Sequence, residues 1–177
     1  MKKRREFSIP FSGLKQGKHK FEYKINNEFF ESFEYLEFND ATIEVEVDLN
    51  KLSTMLELEM NAKGMVNVYC DISSEPYDQS IEAQLELVVK FGDEFNDEND
   101  EILIIPHGEH QVNISQYLYE MLVLAVPSKR VHPGVLDGTL KSKAIEKLEE
   151  LQPKEEKEIK GDSDPRWDAL KKLITDK

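Results

Sequence analysis

Ala41-Thr42-Ile43-Glu44-Val45-Glu46-Val47-Asp48-Leu49-Asn50 is the stretch whose reading decides the fold. Ile43, Val45, Val47 and Leu49 alternate with Thr42, Glu44, Glu46 and Asp48. A period of two places every apolar side chain on one face of a strand and every carboxylate on the other. The same beat continues outward. Leu56, Leu58 and Met60 alternate with Glu57 and Glu59, and Ala62-Lys63-Gly64 then reads as a turn into Val66, Val68 and Cys70. After Ser73-Ser74-Glu75-Pro76 come Ile81, Ala83, Leu85, Leu87 and Val89, again at every second position. This predicts four consecutive half-buried antiparallel strands between Ala41 and Phe91. Glu6–Ile9 and Lys18–Ile25 extend the set as edge strands. Burying one face of so many strands calls for a predominantly antiparallel curved sheet or a partly open barrel.

Helical periodicity enters later, so the expected class is α+β with two or three helices and a C-terminal tail helix. Asn113 reads as the N-cap of Ile114–Ala125, whose stripe is Ile114, Leu118, Met121, Leu122 and Ala125, and Pro127 ends it. Leu140–Leu151 is a second amphipathic stretch, and Ser128–Thr139, with Pro133, Gly134 and Gly138, reads as the loop between them. Phe91–Glu101 holds six acidic residues and reads as a solvated loop interrupting the sheet. Pro153–Gly161 has the Lys/Glu composition of a linker. The organisation that follows is one sheet-plus-helix domain over residues 1–151, then a charged linker and short helix over 152–177.

Composition narrows the function. The 177 residues carry 23 Lys plus Arg against 36 Asp plus Glu, a net charge of −13. Such a field repels phosphate, whereas gripping a nucleic-acid backbone requires cations that displace counterions. One cysteine, Cys70, forms no internal disulfide, which fits a reducing compartment. The longest strongly apolar stretch, Met121–Val126, is far short of a bilayer-crossing helix, and the basic start Met1–Arg5 is followed by no apolar run. A cytoplasmic protein without membrane contact is expected.

The chemistry-bearing residues form no catalytic constellation, and no enzyme is expected. There is no G-x-S-x-G elbow, no P-loop and no dinucleotide fingerprint. His107 and His110 are three apart, but in Pro106-His107-Gly108-Glu109-His110-Gln111 a polar turn is the simpler reading. The acidic segment lacks the glycine of an EF-hand loop. No metal or other cofactor is expected. Cys70 falls on the inward phase of its strand, which makes it a buried thiol, and the neighbouring Asp71 pushes its pKa up.

The last residues say more. Asp164-Pro165 reads as a helix start, with Asp164 as the cap and Pro165 at the first position, which would put Trp167, Leu170 and Ile174 on one face with Leu173 beside them. Such a helix either docks on its own sheet or serves as a tethered recognition element, with Trp167 as anchor and Arg166 at the rim.

Asp164-Pro165-Arg166-Trp167-Asp168-Ala169-Leu170-Lys171-Lys172-Leu173 resembles the closing motif of the YceD family, the large ribosomal RNA subunit accumulation proteins. Cys70 after a valine-rich strand, the acidic insertion between strands, and Leu122-Val123-Leu124-Ala125-Val126-Pro127 resemble further family features, in order, from Leu14-Lys15-Gln16-Gly17 onward. Where the family commonly has Cys-x-x-Cys, the second cysteine is Ser73 here. Where many members carry a second cysteine pair, this chain reads His132-Pro133-Gly134-Val135-Leu136-Asp137-Gly138-Thr139. One cysteine and distant histidines do not supply the four ligands of a structural zinc site.

The resemblance implies a non-catalytic role in the synthesis, processing or stability of large-subunit ribosomal RNA. Combined with the charge, it points to binding of a basic ribosomal protein or ribosome assembly factor. Glu44, Glu46, Glu57, Glu59 and the acidic segment would complement that partner, and Asp164, Pro165, Arg166, Trp167, Leu170 and Leu173 would anchor it. The alternative is direct binding of ribosomal RNA through Lys129, Arg130, His132, Lys141 and Lys143.

Overall fold

Three long strands, not four, carry the alternation. The computed structural model describes residues 6–99 and 101–151. In chain order these form β1 (Ser8–Ile9), β2 (Gly17–Asn26), α1 (Asn27–Glu31), β3 (Asp40–Lys51), β4 (Met55–Tyr69) and β5 (Pro76–Gly92). Then follow β6 (Asn96–Asn99), β7 (Ile102–Pro106), β8 (Val112–Asn113), α2 (Ser115–Leu124), α3 (Pro133–Leu136) and α4 (Lys143–Leu151).

The turn expected at Ala62-Lys63-Gly64 does not exist. β4 passes through these residues unbroken, with Gly64 opposite Ile43 on one side and Ile81 on the other. A Cβ on Gly64 would lie 2.3 Å from the Thr42 carbonyl oxygen and 2.6 Å from the Ile43 Cα. The glycine therefore permits a backbone approach that no other residue allows, the second meaning of a glycine within a strand. Leu56, Leu58, Met60, Ala62, Val66 and Val68 are all buried along the same face.

The main sheet is six-stranded and open, in the order β2-β3-β4-β5-β7-β6, while β1 and β8 pair separately. Neighbours are antiparallel except β5 and β7, which run parallel from Val88↔Ile102 to Gly92↔Pro106. The mixed α+β class expected from the sequence is observed, as a sheet that does not close into a barrel. The acidic segment is not wholly a loop. Asn96–Asn99 forms a short edge strand against β7, paired at Asn96↔Ile104 and Asn99↔Ile102. The open edge of β7 offers hydrogen-bond partners to the backbone, while the side chains of β6 all remain exposed, as their charge demands.

The apolar face of the sheet packs beneath α1, α2 and the N-terminal segment. Phe7, Phe29, Phe30 and Phe38 form an edge-on aromatic chain, with Phe30 and Phe38 centroids 4.8 Å apart. Phe33 stacks on Tyr119 at 4.4 Å, joining the loop after α1 to α2. The Asn113 side chain accepts from the Ser115 backbone N–H at 3.1 Å, but the N-cap of α2 is Ile114, one residue beyond the expected Asn113, and its apolar side chain makes no capping bond. Lys51 Nζ donates to the Phe11 and Leu14 carbonyls, both at 2.8 Å, fixing the loop that leads into β2.

Ser128–Thr139 holds the four-residue helix α3 and is not purely a loop. His132 supplies its N-cap, Nδ1 accepting from Gly134 N–H at 2.8 Å, with Pro133 at the first position. The chain divides between Leu140 and Lys141 into two units. Within the second, α4 starts three residues later than the amphipathic pattern, because Ser142 Oγ accepts from Ile145 N–H at 3.3 Å and caps it. Among the described residues, no helix is long and apolar enough to cross a membrane. The helix expected from Asp164 lies outside the described residues.

Candidate functional site

Cys70 follows Tyr69, the last residue of β4, and begins a tight turn. Its N–H donates to the Glu75 carbonyl, Ser74 N–H donates back to the Cys70 carbonyl, and Ser74 takes a φ of 58°. The chain from α2 crosses this turn: Asp71 N–H donates to the Arg130 carbonyl at 2.8 Å, and Arg130 N–H donates to Asp71 Oδ2 at 2.7 Å. As a result the thiol, buried as expected, accepts from His132 N–H at 3.3 Å and from Ser73 N–H at 3.4 Å. Burial alone would push the Cys70 thiol up. Hydrogen bonds from the His132 backbone, the Ser73 side chain and backbone, and the Ile72 backbone outweigh it and hold the pKa lowered to about 7. This overturns the upward push expected from Asp71, whose carboxylate is turned onto Arg130 instead.

The two places where the resemblance put cysteine pairs therefore meet in space. They do not make a zinc site. Ser73 is a buried hydroxyl, His132 Nδ1 is occupied by Gly134 N–H, and the imidazole lies edge-on to Tyr77 at 5.4 Å. Among the described residues, no group of three or more His, Cys, Asp and Glu side chains could hold a metal ion. Hydrogen bonds to one thiol join the two segments here.

Of the basic residues named for RNA, Lys129 is exposed. Arg130 is not free: its guanidinium pairs with Glu37 at 3.1 Å and with Asp71 at 3.5 Å. Two carboxylates already compensate its charge, and its position serves the Cys70 corner. Lys141 and Lys143 belong to the second unit, each exposed there. Asp164, Pro165, Arg166, Trp167, Leu170 and Leu173 lie outside the described residues.

The polar face of the sheet gathers the carboxylates. Register places Asp48 of β3 beside Glu59 of β4, and Glu59 beside Glu86 of β5, making a row of three across the strands. One row along, Asn50, Glu57 and Val88 are paired, and Glu22 faces Glu46 further on. A groove of about 470 Å³ runs here, lined by Asp48, Glu57, Glu59 and Glu86 with Lys18 at one side. Lys20 of β2 stands opposite Asp48 at the end of this row and pairs with Glu46 at 2.5 Å, and further along the face Lys63 pairs with Glu82 at 2.8 Å. Asp48 and Glu86 were not among the candidates read from sequence. Their phase was visible, but only the strand register shows that they flank Glu59.

The model of the family described as large ribosomal RNA subunit accumulation protein YceD matches residues 58–174. The chain belongs to this family. The match begins within β4, further along than the resemblance read from Leu14, and spans the Cys70 corner, α2 and the Asp164–Leu173 motif. No curated protein and no solved structure matches the chain.

Proposed function

We propose that this protein supports the accumulation of large-subunit ribosomal RNA as a non-catalytic binding factor, by holding a basic ribosomal protein or assembly factor during subunit assembly. The observation that carries this reading is the Asp48–Glu59–Glu86 row on an open polar face, in a chain of net charge −13. Like charges directly opposite one another weaken a sheet. A sheet that keeps three of them beside a groove gains a surface complementary to a strongly basic partner. The engagement of Arg130 with Glu37 and Asp71 argues against it as a phosphate ligand. The Asp164–Leu173 segment, with Trp167, would supply the apolar part of the contact.

The test is sedimentation of the tagged full chain from lysate at low and high salt, with the co-migrating RNA and proteins identified. Co-migration with large-subunit precursors that is lost at high salt supports the reading. Trp167→Ala is expected to weaken that association without unfolding the sheet. Sedimentation in light fractions alone at every salt concentration overturns it. Retention of naked RNA that Lys129→Glu abolishes would replace it with direct RNA binding.

A further inference from the structure

A second groove lies at the opposite edge of the sheet, where β7 and β6 extend past the cover that α2 gives β5. It measures about 460 Å³. Leu103 lies in its floor, Tyr117 of α2 forms a wall, and Phe95 stands at its lip with 59% of its surface exposed. Asp97, Glu109 and Glu120 stand around it, all exposed, with Gln111, Asn113 and Gln116 beside them, and among the described residues no lysine, arginine or histidine lines it. The grooves over the polar face differ in kind, for each mixes lysines with carboxylates: Lys18 in one, Lys24 and Lys63 in the other. Here Phe95 and Tyr117 offer apolar surface over a buried apolar floor, and the charged side chains at the rim are all of one sign.

That combination selects its occupant. An exposed phenylalanine beside a carboxylate is a seat for an arginine or lysine, which gains both ring-face attraction and an ion pair. The rim repels phosphate and acidic peptides, and the interior favours an apolar side chain over water. We infer that this groove receives a basic segment of a protein partner, one that carries an apolar side chain between arginines or lysines. The apolar side chain lies against Tyr117 above the buried Leu103, one cation sits over Phe95, and others face Asp97, Glu109 and Glu120. The inference rests on the proposed function in taking the partner to be a basic protein, and it adds to the polar face a second, defined contact surface.

The probe is a twelve-residue peptide of alternating arginine and alanine with one central leucine, titrated into the ¹⁵N-labelled full chain. Amide shifts are expected at Phe95, Asp97, Tyr117 and Glu120. Phe95→Ser and the double variant Asp97→Lys with Glu120→Lys change only exposed side chains, and each is expected to weaken binding about tenfold or more. A peptide with serine in place of leucine is expected to bind weaker by a similar factor, and one with glutamates in place of arginines not at all. Shifts confined to the polar face, or unchanged affinity in both variants, overturn the inference. A chain dimer that Phe95→Ser dissolves overturns it too, since a second copy would then be the occupant. Sedimentation separates this from the wider reading. If Phe95→Ser still co-migrates with large-subunit precursors as the parent chain does, the groove assignment fails and the assembly role stands. If the parent chain never co-migrates while the peptide still maps to the groove, the assembly role fails and the groove stands.

Discussion

Gly64→Ala is the substitution that tests the strand architecture most directly. The added methyl carbon would sit 2.3 Å from the Thr42 carbonyl oxygen and 2.6 Å from the Ile43 Cα. Both are backbone atoms of the neighbouring strand, so no side chain can swing away to relieve the contact. β3 and β4 must separate by roughly 1 Å for an ordinary van der Waals distance of about 3.5 Å to be restored. Separation stretches the ladder hydrogen bonds on either side of Gly64 and loosens Ile43, which is 1% exposed. Overpacking of a tight site costs about 1–3 kcal/mol, and the weakened ladder bonds add about 1 kcal/mol, giving about 3 kcal/mol in total. For a chain of this length that lowers Tm by about 6–12 °C. The assay is thermal and urea unfolding followed by far-ultraviolet circular dichroism, with Gly108→Ala as control because nothing lies within 4 Å of a Cβ there. The control is expected to stay within about 0.5 kcal/mol of the parent. A Gly64→Ala variant as stable as the control would refute the close-approach argument.

Two further predictions concern the interior. The Cys70 pKa of about 7 lies below the ordinary thiol value of 9.0, so folding favours the thiolate. Its contribution is fully present above pH 9 and lost as pH falls through 7, and the shift corresponds to about 2–3 kcal/mol. Unfolding free energy is therefore expected to rise from pH 7 to pH 9, and Cys70→Ala to flatten that rise. Carbon chemical shifts of the labelled cysteine give the titration directly, and a midpoint at or above 8.5 would contradict the hydrogen-bond account. Phe30→Ala removes a fully buried ring that contacts Phe29 and Phe38. A loss of about 3–5 kcal/mol is expected in urea unfolding.

The fold was legible where one rule acted alone. β3 and the C-terminal part of β5 follow from alternation, and α2 follows from its stripe, because side-chain phase is a local property of the chain. Gly64 was misread because glycine carries two meanings, a turn and a close approach, and only the neighbouring strand decides between them. Ala62 and Gly64 do hold the inward phase of β4, so an uninterrupted count from Leu56 to Val68 would have favoured the strand. β7 is a five-residue apolar run inserted between β5 and β6, a placement that depends on pairing rather than on any local signal. α1, with five residues, is too short for a helical period and is held by Phe29 and Phe30.

The site was legible in its chemistry and not in its geometry. Acidic strand faces could be named, but the Asp48–Glu59–Glu86 row needs the register of three strands. The Cys70 thiol could be placed inward, but its lowered pKa comes from His132, 62 residues away in sequence. Arg130 looked available for phosphate until Glu37 and Asp71 were seen to claim it.

The pairing of β1 with β8 joins positions that are synthesised far apart. Asn113 donates to Ser8 across 105 residues of chain. At about 5–20 residues per second, the first strand waits roughly 5–20 s for its partner to be made. During that interval Phe7, Ile9 and Phe11, each buried in the finished protein, have no β8 and no α2 to pack against. The nascent protein thus carries a hydrophobic segment that its own later sequence must cover, and the folding problem is heaviest while the chain is still being translated.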